Sequence, residues 1–265
     1  MQRIRGLIVV GVLALGACLH TDEPTRREIG YISVNAPATA QGQVTAQALF
    51  FRDPGNLQFP NSRFPADSCV TRPFTPGSAV LVPLGVEYIS AGDSVGMQTD
   101  SATGFLKAVT AGDGTTSYVL PNGGSLPSTP GAPVTFTIPG APDGFPVATI
   151  AGKTAEPYEL GPIDTLPGKD SALVVTWSPA GDDSSAINLS LQYATSGASD
   201  LNEQVFCSLR DDGVDTIPGL LVNGWRQSAG LRHVDSFRWR TVLGAGQTEL
   251  LGLVTQYNVS KSTLP

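Results

Sequence analysis

The pentapeptide Gly92-Asp93-Ser94-Val95-Gly96 has the G-x-S-x-G spacing that sets a nucleophilic serine on a sharp turn between strand and helix. Such a serine needs a base to accept its proton, and the chain holds two histidines, His20 and His233. The flanking pattern argues against this chemistry. Met97-Gln98-Thr99-Asp100-Ser101 has no helical period, and Tyr88-Ile89-Ser90 before Ala91-Gly92-Asp93 reads as a strand entering a hairpin turn. His20 lies in a polar run with no apolar periodicity, so a serine hydrolase would have to combine Ser94 with His233. A lone histidine beside a strand is more commonly a hydrogen-bonded side chain than a base or metal ligand, and no ligand spacing surrounds His233.

Two further groups have chemistry to offer. Asp182-Asp183 and Asp211-Asp212 with Asp215 would supply oxygens to Ca²⁺ if their loops met at one end of a fold. No EF-hand spacing accompanies them, and aspartate also starts ordinary turns. Trp225 and Trp239, with Phe237, have the ring faces for a sugar-stacking platform. Cross-strand packing is the competing role for Trp239, and Trp177 reads as core.

The elements that must position these residues are strands. Glycine (30 residues) and proline (21) are plentiful and only 15% of residues are charged, the composition of many short strands joined by tight turns. Strands are predicted near Gly30–Asn35, Gln43–Arg52, Ser68–Arg72, Ala79–Pro83, Val86–Ser90, Ser94–Gln98, Phe105–Val109 and Ser117–Leu120. Residues 121–132 read as a long loop or an internal boundary. Beyond them, strands are predicted at Val134–Ile138, Phe145–Ile150, Ala172–Ser178, Ile187–Ala194, Gln204–Leu209, Val234–Leu243 and Glu249–Ser260, with a single helical turn within Ile217–Trp225. Alternation is strict in one of them: Ile187, Leu189, Leu191 and Tyr193 share a face, opposite Asn188, Ser190 and Gln192.

The amino-terminal residues follow the secretory order. Arg3 and Arg5 precede an apolar run from Leu7 to Gly16, too short to span a bilayer as a helix, which takes roughly 20 residues. The run ends in Leu15-Gly16-Ala17-Cys18, which resembles a bacterial lipobox. That resemblance implies cleavage before Cys18, diacylglycerol on its sulfur and acylation of its amine. Several acyl chains anchor stably where one would be marginal. Leu19 after the cysteine resembles an outer-membrane destination rather than retention at the inner membrane. Residues 1–17 are then a signal peptide and residues 18–28 a lipidated flexible stalk. Loss of Arg3 and Arg5 takes the formal charge from −7 to −9, which argues against nucleic acid and against electrostatic attachment to anionic lipid. The membrane contact is expected through the lipid, and an envelope protein or glycan is the expected partner class.

Three cysteines are present. With Cys18 given to lipid, an oxidising compartment favours a Cys69–Cys207 disulfide; two buried thiols or an intermolecular bond are the alternatives. Leu173-x-Val175-x-Trp177-x-Pro179, followed by the alternating strand from Ile187 to Tyr193, is similar to the B and C strands of fibronectin type III-like sandwiches. The pairing of that tryptophan strand with a later Cys207-x-x-x-Asp211-Asp212-Gly213 segment also resembles uncharacterised secreted bacterial lipoproteins. The expected architecture is all-β: a β-module over residues 29–131 and an immunoglobulin-like sandwich over residues 132–265. No catalytic residue or required cofactor is expected. The function class is a non-enzymatic envelope lipoprotein with a structural or binding role. A secreted serine hydrolase using Ser94, or a calcium-dependent adhesion or glycan-binding module, stands as the alternative.

Overall fold

The computed structural model describes residues 27–37, 42–53, 66–75, 86–163, 171–228, 231–245 and 249–263. Cys18, His20, the signal peptide, the stalk up to residue 26 and the strand expected at 79–83 lie outside the described residues. The fold is all-β. In chain order the strands are β1 (Arg27–Pro37), β2 (Gln43–Asp53), β3 (Ser68–Pro73), β4 (Glu87–Tyr88), β5 (Ser94–Gln98), β6 (Thr103–Thr110), β7 (Thr116–Val119) and β8 (Leu126–Pro127). There follow β9 (Pro133–Ile138), β10 (Ala148–Lys153), β11 (Leu173–Thr176), β12 (Ser185–Tyr193), β13 (Glu203–Arg210) and β14 (Val214–Ile217). The helix α1 (Gly219–Gln227) precedes β15 (Arg232–Ala245) and β16 (Glu249–Thr263). Among the described residues no helix is long and apolar enough to cross a membrane.

One large mixed sheet runs β10-β9-β5-β6-β7-β2-β1-β16-β15-β12-β13-β3, with β4 and β8 also paired to β2; β11 and β14 form a second, two-stranded sheet. The chain ends meet inside the large sheet. β1 pairs in parallel with β16, from Glu28 opposite Glu249 to Pro37 opposite Asn258, and antiparallel with β2. Gly30 permits this close approach: a Cβ there would come within 2.6 Å of Leu251 and 3.0 Å of Phe50. The sheet also folds over itself. Thr255 Oγ1 donates to the Lys153 carbonyl at 2.7 Å, so the end of β10 lies across β16.

Burial divides the apolar side chains into two main cores. The first takes Ile32 and Val34 from β1, Ala48 and Phe50 from β2, Val95 and Met97 from β5, and Leu251 and Leu253 from β16. It also takes Val134, Phe136, Ile138, Phe145 and Ile150. The second begins at Ala155 and is filled by alternate residues of β11, β12, β13 and β15, with Trp177, Val222 and Trp225. A smaller group, Ile29, Tyr31, Leu49, Phe51 and Val254, lies on the reverse face of β1, β2 and β16. The change of core thus falls near residue 154, not at the expected division between residues 131 and 132, because β9 and β10 complete the first core. Residues 121–132 are no boundary either: a single 3₁₀ turn at Pro121–Gly123 leads into β8, which pairs with Gln43 and Val44 of β2. β16 serves both cores, since Leu251 and Leu253 fill the first and Tyr257 the second.

Local patterning accounts for most elements. β5 has the expected ends, and the inward residues of β12 and β13 are those of the alternating pattern. Two elements of the second core exceed the sequence reading. The segment after Ile217 makes a nine-residue helix rather than a single turn, because Val222 and Trp225 share a face and are fully buried in the second core. β14 arises by pairing with β11, from Leu173 opposite Ile217 to Thr176 opposite Val214.

Candidate functional site

The acidic loops do come to the same region, but their oxygens are taken. Arg238 of β15 reaches Asp211 with two parallel bonds, Nε to Oδ2 at 2.6 Å and Nη2 to Oδ1 at 3.0 Å, and both side chains are almost wholly buried. Trp177 Nε1 donates to Asp211 Oδ1 at 3.0 Å and Ser185 Oγ to Oδ2 at 2.6 Å. A carboxylate has about four lone-pair sites, so Asp211 is saturated. Arg238 is saturated as well: its remaining donors meet the carbonyls of Pro157, Glu156 and Ser178. This hub ties β15, the turn after β13, the end of β11 and the segment before Leu160 to one another. It also gives a physical reason for the Trp177–Asp211 pairing in the sequence.

A second hub adjoins it. Arg240 Nη2 meets both carboxylate oxygens of Glu156 at 2.7 Å, and Nη1 meets Asp182 Oδ1 at 2.6 Å. Asp182 also accepts from Ser184 and pairs with Lys153. Hydrogen bonds from Ser184 and Arg240 hold its carboxyl far below the ordinary aspartate range. The same carboxylate partners hold the Arg240 guanidinium above its usual value against the opposing effect of burial. Asp212 and Asp215 accept from the backbone amides of Val214 and Thr216. Asp183 enters neither hub. The expected convergence of Asp182, Asp183, Asp211, Asp212 and Asp215 on Ca²⁺ is therefore not found: among the described residues no three His, Cys, Asp or Glu side chains group as a metal site. Arginines take the place a cation would have.

Ser94 is the first residue of β5, opposite Lys107 of β6. Gly92 turns the chain with φ +102°, and the chain then continues as strand, so the G-x-S-x-G spacing marks a strand entrance and not a nucleophile elbow. His233 stands on β15, with β6, β7, β2, β1 and β16 between it and β5 in the sheet. It has a carboxylate and a hydroxyl of its own, Asp235 Oδ1 at 3.0 Å and Ser260 Oγ at 2.9 Å. Both contact the same nitrogen, Nε2. A relay needs the hydroxyl on one ring nitrogen and the carboxylate on the other, so these three do not form a catalytic triad.

The structure separates the two tryptophans of the expected aromatic platform. Trp225 is fully buried in the second core with the Arg232 guanidinium 5.5 Å from its ring, so it is no surface residue. Trp239 and Phe237 are half-buried neighbours on the outer face of β15. Their face continues across the sheet in register. Trp239 lies between Ala186 and Gln256, and Phe237 between Asn188 and Asn258. Beside them a chain of polar side chains, the Asp235 carboxylate among them, runs from β13 to β16. Ser190 donates to Gln204 at 2.7 Å, Gln192 donates to Ser190 at 3.2 Å and to Asp235 at 2.8 Å, and Asp235 meets His233. Asn188 and Trp239 interrupt this satisfaction. Asn188 Oδ1 and Trp239 Nε1 are both shielded from water and neither has a hydrogen-bond partner.

Cys69 and Cys207 are joined by a disulfide as direct cross-strand partners, so β3 is stapled to the edge of the C-terminal strands although it follows β2 in the chain. A shallow, open depression of about 340 Å³ lies elsewhere, beside β6, lined by Phe105, Lys107, Leu120 and Leu126 among others. Lys107 is the one ionisable side chain in its lining.

No protein-family model matches the sequence, and no curated protein matches it. Among solved structures, a DUF4785 family protein from Legionella pneumophila is similar at 9% identity and a TM-score of 0.28, over 78% of this chain and 50% of that one. The chain thus spans about half the length of that protein.

Proposed function

We propose that this chain is a non-enzymatic lipoprotein, anchored to a bacterial envelope through lipid on Cys18, with a structural or binding role there. The observation that carries the reading is Leu15-Gly16-Ala17-Cys18 at the end of the apolar run behind Arg3 and Arg5. The Cys69–Cys207 disulfide supports an oxidising compartment, and it uses the two cysteines that lipidation leaves. Leu19 supports the outer membrane as destination.

The body suits a scaffold. Its aspartates hold arginines and backbone amides in place, which supports a structural use for the acidic loops. The pairing of β11 with β14, the bridge from Leu160 to Trp177, and the facing strands β13-β12-β15-β16 support a fibronectin type III-like arrangement of the second core. Metabolic labelling with an alkynyl fatty acid tests the anchor. Label on the wild-type chain and none on Cys18→Ser is the expected result; label retained on Cys18→Ser, or missing from wild type, overturns it. A fluorophosphonate probe tests the non-enzymatic part, which fails if Ser94 is labelled.

A further inference from the structure

We infer that the outer face of β12, β15 and β16 binds a pyranose oligosaccharide, with Trp239 as the stacking surface and Asn188 and the Trp239 indole as hydrogen-bonding groups. The inference rests on the binding role proposed above and names its site and ligand class.

Three observations carry it. The first is the pair of orphans. Asn188 is 96% buried (4% exposed) and its Oδ1 accepts nothing; Trp239 Nε1 donates to nothing. A buried polar atom left unpaired costs about 1–3 kcal/mol, so two within one small patch need a reason. They are diagonal neighbours on one face, because Asn188 is opposite Phe237 and Ala186 is opposite Trp239, two residues along each strand. One is an acceptor and the other a donor, the pair that a sugar hydroxyl satisfies in both directions. Both lie beside the half-buried Phe237 and Trp239 rings, the part of the patch that solvent reaches.

The second observation is the chemistry of the face. Beside the two rings stand the amides Gln256 and Asn258 on β16 and Asn188 on β12, and Ser190 and Gln192 continue the same face of β12 opposite Asp235 and His233. Gln256 in turn donates to Asn35 of β1, which fixes its amide plane. Neutral, planar hydrogen-bonding groups beside an aromatic ring recognise the polar rim and apolar face of a pyranose. The nearby charged group Asp235 is engaged by His233 and Gln192, so the patch presents no free charge to attract an ion or a nucleic acid.

The third is that the strong charges of β15 are turned away. Arg238 and Arg240 point into the second core, and their alternation with Phe237 and Trp239 forces the rings outward. The half-buried rings keep part of their apolar surface on this face, where a ligand can reach it.

Titration of the full chain in detergent micelles with maltohexaose and with chitohexaose tests the site, with empty micelles as control. The indole ¹⁵N–¹H resonances are followed. Movement of the Trp239 signal with either sugar, with the signals of buried Trp177 and Trp225 unmoved, is expected. Trp239→Ala is expected to weaken binding roughly tenfold, which is about 1.4 kcal/mol. Asn188→Ala should weaken it too while leaving the thermal transition near wild type. If neither sugar moves the Trp239 signal, or if the sugar-dependent shifts fall on Trp177 or Trp225 alone, the site is overturned. The wild-type spectrum decides even where a variant fails to fold. Fatty-acid labelling is independent of this result, so an anchored chain that ignores sugars removes the glycan site and leaves the anchor standing.

Discussion

Arg238 Nε lies 2.6 Å from Asp211 Oδ2 inside the second core, and every polar atom of the two side chains has a partner. Trp177 is the third member, through its indole N–H at 3.0 Å. An ion pair of this kind is weak evidence of net stability, but removal of one partner strands the other in low dielectric. Asp211→Ala is expected to cost about 3–5 kcal/mol, whereas Asp212→Ala, which frees only an exposed turn amide, should stay within about 1 kcal/mol. Urea unfolding of the two variants measures the difference. Equal losses would show that the hub does not hold the core.

The same saturation bears on calcium. Asp211 has no lone pair left, and Asp182 is committed to Arg240 and Ser184. The melting temperature should therefore be the same in millimolar Ca²⁺ and in EDTA. A rise with Ca²⁺ would require the aspartates to exchange arginine for metal.

These arginines mark where the sequence stops being legible. Strand positions and the apolar faces of β12 and β13 were readable because Ile187, Leu189 and Leu191, and Val205, Cys207 and Leu209, alternate without a break, although the polar face of β12, with Asn188, Ser190 and Gln192, is buried as well. β15 alternates just as cleanly, Phe237 and Trp239 against Arg238 and Arg240, yet hydropathy alone would turn the rings inward. The counter-charges that reverse it, Asp211, Asp182 and Glu156, come from loops 27 to 84 residues away. Nothing local announces them. The placement of β3 was hidden for the same reason: a strand that follows β2 in the chain pairs instead with β13. The disulfide could be read by elimination, although its place as a strand-to-strand staple could not. The helix α1 was underread because its two buried residues, Val222 and Trp225, are separated by polar Asn223 and by Gly224, which blurs the apolar stripe. Asn188 gave no signal at all, since an outward amide on an alternating strand is ordinary until its partners are counted.

Acid should loosen the second hub before it loosens the first core. The Asp182 carboxyl is depressed in the folded chain by its bonds from Ser184 and Arg240. A depressed carboxyl stabilises the fold above its unfolded pKa of about 3.9, and that contribution is lost as pH falls through the folded value. Wild type should thus exceed Asp182→Asn in stability at neutral pH, with the gap closing only below about pH 4. Melting temperatures of the pair from pH 7 to pH 2 provide the check. A constant gap would mean that charge on Asp182 does not matter.

Alkali acts through Tyr31. Burial pushes its phenol up to about 12 from the ordinary value of 10.0. A raised group of this kind contributes stability that is complete below the unfolded pKa and is lost as pH rises through the folded one. Stability should decline between about pH 10 and pH 12, and Tyr31→Phe should flatten that decline, since phenylalanine has no proton to lose. Denaturant midpoints across this window give the slopes. Identical slopes in wild type and variant would assign the alkaline loss to other groups, of which buried Tyr158, also raised by burial, is the first to examine.

The staple at Cys69–Cys207 closes a span of 138 residues. A chain-entropy treatment gives at most about 5 kcal/mol for a loop of that length, and less in practice because the unfolded chain keeps some order. β3 is also an edge strand, held on one side by β13 and by nothing on the other among the described pairings. Its pairing is short, from Ser68 opposite Ser208 to Pro73 opposite Glu203. The double variant Cys69→Ser/Cys207→Ser should consequently fold, because both cores retain their apolar residues, but β3 should fray. Hydrogen exchange is expected to rise in residues 68–73 and in the facing β13 amides, with β1, β2 and β16 protected as before. Exchange that rises evenly through both cores would instead assign the disulfide to global stability, and protection unchanged at β3 would make the strand independent of its staple.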